Sequence, residues 1–180
     1  MHEIIRRDLI NVRYGILLSV ITLTFGLTMG ALLAGLEDNF REHLKAKAEK
    51  VLDTRYEGNT QQMERTANRS LGYVRRAHFH GAGLGIATMG LIFVLMLLSA
   101  DNRIKKITAI CLGFGALGYS TFWLFAGLRA PGMGGTELAV ESLNWFAIPM
   151  AGLCILGAVT VLGLLISTLF FGGNKTVESE

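Results

Sequence analysis

Four stretches of this chain carry no charged residue, and each is about 20 residues long or longer: 14–35, 81–100, 107–128 and 146–171. That is the length a helix needs to cross roughly 30 Å of hydrocarbon. A chain in lipid must satisfy its backbone groups internally, which leaves helices or closed barrels, and these unbroken runs lack a barrel's alternation. A soluble domain would spread its apolar residues by helix or strand period instead. The pattern therefore predicts an all-α integral membrane protein, a four-helix bundle forming one membrane domain over 1–180. The first run is too long for a signal-peptide core, and charged LEDNFREHLK follows it in place of a small-residue cleavage site.

Charge supplies the orientation. Four spans put the N-terminus, the segment 101–106 and the C-terminus on one side, with Arg6, Arg7, Arg13, Arg103, Lys105, Lys106 and Lys175. The opposite side holds 36–80, where seven acids offset the basic residues, and the loop 129–145. Short loops rich in Lys and Arg stay in the cytoplasm, and DNRIKK is such a loop. The expected location is a bacterial inner (plasma) membrane with both termini cytoplasmic. The formal net charge is only +3 and the basic residues cluster at helix ends, so nothing points to nucleic acid. Cys111 and Cys154 both fall inside apolar runs and read as small buried hydrophobes.

Residues 36–52 repeat apolar positions at Leu36, Phe40, Leu44, Ala48 and Val51, a helical spacing that continues the first span out of the membrane. YEGNT then supplies a turn centred on Gly58 and Asn59, and 60–80 returns as helix. The result is an extended extracytoplasmic helical hairpin between spans one and two. It is too small to bury a core alone. It needs the second outer loop, another copy of the chain or another membrane subunit to pack against.

RRAHFHGAGLG, residues 75–85, sets His78 and His80 where water gives way to lipid. With the hairpin reversing at 58–59, residue 37 lies level with residue 80, which brings Glu37 and Asp38 beside the histidines. The second outer loop adds Glu137 and Glu141, with Trp145 at the interface. Imidazole and carboxylate together suit a transition metal, so Glu37, Asp38, His78, His80 and Glu141 are the candidate ligands. His78 or His80 is also a candidate axial ligand for haem b, or a proton donor to a quinone. One geometric fact weighs against chelation by the two histidines alone: residues two apart on a helix point to nearly opposite faces. The plainer reading is an interfacial anchor, in which the two arginines and two histidines mark the membrane boundary and bind lipid headgroups. No ionisable residue lies inside a span, so a transport path through this chain has no support.

Gly26 and Gly30 form one G-x-x-x-G pair and Gly81 and Gly85 another, spacings that allow membrane helices to approach closely. No nucleophile–base arrangement or phosphate-binding loop is present, so the sequence points away from an enzyme. R-A-H-F-H-G, with E-D-N-F after the first span and E-S-L-N-W before the last, resembles small bacterial inner-membrane proteins with an R-A-H-x-H signature. That resemblance covers most of the chain and implies a fold without an activity. A six-residue likeness to H-x-H segments of haem-copper membrane proteins carries no ligand over. The functional expectation is an accessory subunit of a membrane complex, with a respiratory complex among the candidates. The alternatives are a metal, haem or quinone protein in its own right, or a structural or lipid-binding protein with no cofactor.

Overall fold

The computed structural model describes residues 2–171, with side chains from Arg6 onward. Lys175, counted in the orientation argument, lies outside them. Six helices follow in order: α1 (His2–Glu49), α2 (Leu52–Arg55), α3 (Thr60–Leu97), α4 (Asn102–Met133), α5 (Thr136–Glu141) and α6 (Asn144–Phe171). Four of them, α1, α3, α4 and α6, are long and apolar enough to cross a membrane. The apolar blocks thus became helices as expected, with α1 and α4 extending past their uncharged runs at both ends and α3 stopping at Leu97, short of Ala100.

Helix α4 is the hub. It packs on α1, α3 and α6, while α1 packs chiefly on α3. Small residues permit this. A side-chain carbon on Gly113 would meet the Gly15 carbonyl oxygen at 2.7 Å, and one on Gly115 would meet the Cys154 backbone nitrogen at 2.5 Å. Backbones that close leave no room for a methyl group, so these glycines set the helix separations. Between them lies a core of Val12, Ile92, Leu95, Leu98, Ala109, Leu112 and Val161. At the end of the bundle holding the N-terminus, Lys105 is folded inward. Its Nζ donates to Asp8 Oδ1 at 3.2 Å and to the Met96 carbonyl oxygen at 3.1 Å. The sequence counts Lys105 among the basic residues that mark topology; in the structure it is buried and clasps α1 to the end of α3. Arg6, Arg7, Arg13, Arg103 and Lys106 remain exposed there.

Past its apolar run α1 bends at Leu36 (φ −132°, ψ 22°), directly after Gly35, and then continues as helix to Glu49. A glycine at the exit of the span is a common cause of such a kink. The chain reverses through α2 and a tight turn in which Glu57 and Gly58 take positive φ, and the Asn59 side chain caps α3 by accepting from the Gln62 amide at 2.9 Å.

The hairpin finds its partner within the same chain. Tyr56 donates its hydroxyl proton to the Pro131 carbonyl at 2.7 Å, and Lys47 Nζ donates to the Leu128 carbonyl at 2.8 Å. The Pro131 carbonyl is one of the last four of α4, which lack intrahelical donors, and the Lys47 cation near Leu128 complements the negative end of the helix dipole. Gly134 ends α4 in the left-handed conformation (φ 84°). The loop expected over 129–145 is therefore mostly helix: the end of α4, then α5, then the start of α6.

Candidate functional site

The contacts between α1 and α3 fix what stands opposite the histidines. Ser19 meets Thr88, oxygen to oxygen, at 2.9 Å. Gly26 lies against Gly81 and Ala82, and Gly30 lies under the His78 ring. The level of His80 therefore falls near residue 28 of α1, about 14 Å along the helix from Glu37 at 1.5 Å per residue. The expected register put residue 37 opposite residue 80. It fails because residues 50–59 do not extend the two long helices. They form α2 and the turn, so the reversal is centred earlier, between Glu49 and Thr60.

Glu37 accordingly meets arginine. Its Oε1 accepts from Arg75 at 2.6 Å and from Arg41 at 3.1 Å. The Arg75 hydrogen bond, helped by the charge of both arginines and opposed by partial desolvation, holds the Glu37 carboxyl below its ordinary value. Asp38 and Glu141 are exposed on α1 and α5. Among the described residues, no three His, Cys, Asp or Glu side chains converge as metal ligands would.

Each histidine has a separate role. His78 Nδ1 lies 2.7 Å from the Gly26 carbonyl oxygen. A carbonyl only accepts, so Nδ1 carries the proton, and the ring ties α3 to α1. A side-chain carbon on Gly30 would come within 2.5 Å of His78 Cε1, so the first G-x-x-x-G pair is the seat of this imidazole. His80 donates from Nδ1 to the Arg76 carbonyl one turn earlier, at 2.9 Å. Its ring faces α4, edge-on to Tyr119 at 5.3 Å and tilted against Trp123 at 5.7 Å. The opposite pointing of residues two apart is what the structure has: one histidine on α1, the other on α4.

Around His80 is an aromatic cluster that the sequence reading did not single out. Tyr73 packs edge-on to Trp123 at 5.2 Å, and the Arg76 guanidinium stacks over both rings at 4.8 Å. The Trp123 indole Nε1 is buried and has no acceptor among the described residues.

Beside this cluster, α3 and α5 border two adjoining cavities that open to the outside. One, of about 380 Å³, is lined by Arg69, Gly72, Tyr73, Arg76, Thr136 and Glu137. The other, of about 470 Å³, lies toward the hairpin tip and adds Arg65 while sharing Arg69, Thr136 and Glu137. The arginines at 65, 69 and 76 are spaced four and seven apart, so one face of α3 carries them all. That spacing is visible in the sequence. The wall opposite is not, because it depends on 136–141 being a helix.

No known protein family matches this chain, and no curated protein or solved structure is similar to it.

Proposed function

We propose that this chain is a non-catalytic accessory subunit of a larger membrane assembly. Its place is a bacterial inner membrane, with both termini cytoplasmic and the hairpin on the outer face. The exposed Arg6, Arg7, Arg13, Arg103 and Lys106 at the terminal end support that orientation.

One observation carries the reading: the outward face of α3. Phe79, Gly83, Ile86, Gly90, Phe93 and Leu97 follow one another at alternating spacings of four and three. All are exposed, Phe79 at 66%, Ile86 at 62% and Phe93 at 50%. Gly83 and Gly90 have nothing within 4 Å of where a side chain would begin. Lipid gains nothing from glycines set between large apolar residues, and their helix propensity is poor. A neighbouring transmembrane helix gains knobs and holes, and a close backbone approach.

The test is Gly83→Leu with Gly90→Leu. Both fill open space in this chain, so the bundle stays folded. Loss of a larger species on native electrophoresis, with the monomer's helicity and thermal midpoint unchanged, supports the reading. An unaltered assembly, or a wild-type protein that runs as a monomer from its native membrane, refutes it.

A further inference from the structure

We propose that the cavity between α3 and α5 binds the headgroup of an amine-bearing phospholipid, with Arg69 and Arg76 on the phosphodiester and Glu137 on the ammonium. The inference is independent of the subunit reading above, since it concerns a different face of α3.

The first ground is charge. Arg69, Arg76 and Glu137 line one cavity of about 380 Å³. Among the described residues none of the three forms an ion pair within 4.0 Å. Both signs are thus presented to one space without cancelling. Guanidinium groups match phosphate oxygens as paired donors. A carboxylate a short distance away suits a primary ammonium.

Position is the second. The apolar run of α3 begins at Gly81, five residues beyond Arg76. At 1.5 Å per residue that puts Arg76 about 8 Å above the hydrocarbon edge, at the level of the headgroups. Trp145, 74% exposed at the start of α6, marks the same boundary from the α5 side. The cavity rises from this level toward Arg69 and the hairpin.

Selectivity follows from which partners are already taken. A choline headgroup would need an open aromatic box. Here Arg76 already covers the faces of Tyr73 and Trp123. A trimethylammonium also has no proton to give Glu137. A glycerol headgroup satisfies the arginines but leaves Glu137 facing the phosphate. Only a phosphodiester beside a primary amine uses both signs.

The experiment is native mass spectrometry of the full chain in detergent, titrated with phosphatidylethanolamine, phosphatidylglycerol or phosphatidylcholine of the same acyl chains. The expected result is retention of the ethanolamine lipid about tenfold better than either of the others, one charged contact's worth. Arg69→Gln with Arg76→Gln abolishes that retention. Glu137→Gln, at an exposed position that folding does not depend on, keeps the lipid but erases the preference over phosphatidylglycerol. Equal retention of all three lipids overturns the proposal, as does a preference that survives Glu137→Gln. Soluble glycerophosphoethanolamine is the final arm. If it competes at the same concentration as the lipid, the chemistry belongs to a soluble phosphodiester and the lipid assignment falls.

Discussion

His78 and Gly30 are a fitted pair. The imidazole of one helix occupies the space that a side chain on the other would fill, at 2.5 Å from the nearest ring carbon. The ring is held there by its bond to the Gly26 carbonyl, 2.7 Å away. Gly30→Ala must therefore push on a ring that cannot swing aside without losing that bond. Overpacking of this kind costs about 1–3 kcal/mol. His78→Ala alone loses the bond and leaves a void, again about 1–3 kcal/mol. Combined, the two changes should cost less than their sum by about 1 kcal/mol, because the new methyl enters the vacated space. Denaturation midpoints of the four proteins in detergent give the cycle. Strict additivity would mean that the ring does not depend on Gly30. Gly26→Ala is the control: it meets backbone of Gly81 and Ala82, and no side-chain deletion relieves it.

The same pair shows what the sequence could and could not convey. Block hydropathy located four helices long and apolar enough to cross a membrane, because uncharged runs of about 20 residues leave a helix nowhere to present a polar face. The G-x-x-x-G pairs lie where α1 and α3 approach, Gly26 against Gly81 and Gly85 against Leu23. The facing of Glu37 and His80 depended instead on register, and register depended on ten residues between Glu49 and Thr60. A four-residue helix there is invisible to periodicity, yet it shifts the opposing helix of the hairpin by about two and a half turns. The helix α5 was hidden for a related reason: it is decided by its dock on α4.

Glu37 separates the ion-pair account from the metal account. If its role is to bridge Arg75 and Arg41 at the surface, Glu37→Gln leaves the thermal midpoint of the protein unchanged at neutral pH, since exposed pairs contribute little. Its folded pKa lies below its ordinary 4.5, so any contribution is present above that value and fades as pH falls through the lower one. Elemental analysis of protein purified from its native membrane, with His78→Ala and His80→Ala beside wild type, checks the other side. A stoichiometric metal lost in those variants and in Glu37→Gln would restore a ligand role that the geometry does not favour.

Lys105 and Asp8 make the opposite case, a pair out of water. Their side chains are 6% and 17% exposed. Lys105→Met strands the carboxylate and should cost about 3–5 kcal/mol, with Asp8→Leu in the same range. The double variant should recover most of that loss, because two apolar side chains replace two desolvated charges. Failure to recover would show that the Met96 carbonyl, which Lys105 also satisfies, is the larger part of the interaction.

Tyr56 ties the hairpin to α4 and gives the dock a signature in alkali. Burial pushes its phenol above the ordinary value of 10.0, partly offset by a hydrogen bond with Thr66. Because the folded state holds the proton more tightly, the stabilisation is complete below pH 10 and is lost as pH rises through the higher folded value. Ionisation also removes the donor to the Pro131 carbonyl. Amide hydrogen exchange over 45–65 should therefore accelerate above pH 10, after correction for the intrinsic rate, while exchange in the membrane-spanning part of α4 does not. Tyr56→Phe should bring that loosening to neutral pH at a cost of about 1 kcal/mol and remove the alkaline step. If the step survives in Tyr56→Phe, a different group holds the hairpin down, and Lys47, which donates to the Leu128 carbonyl three residues before Pro131, becomes the residue to replace.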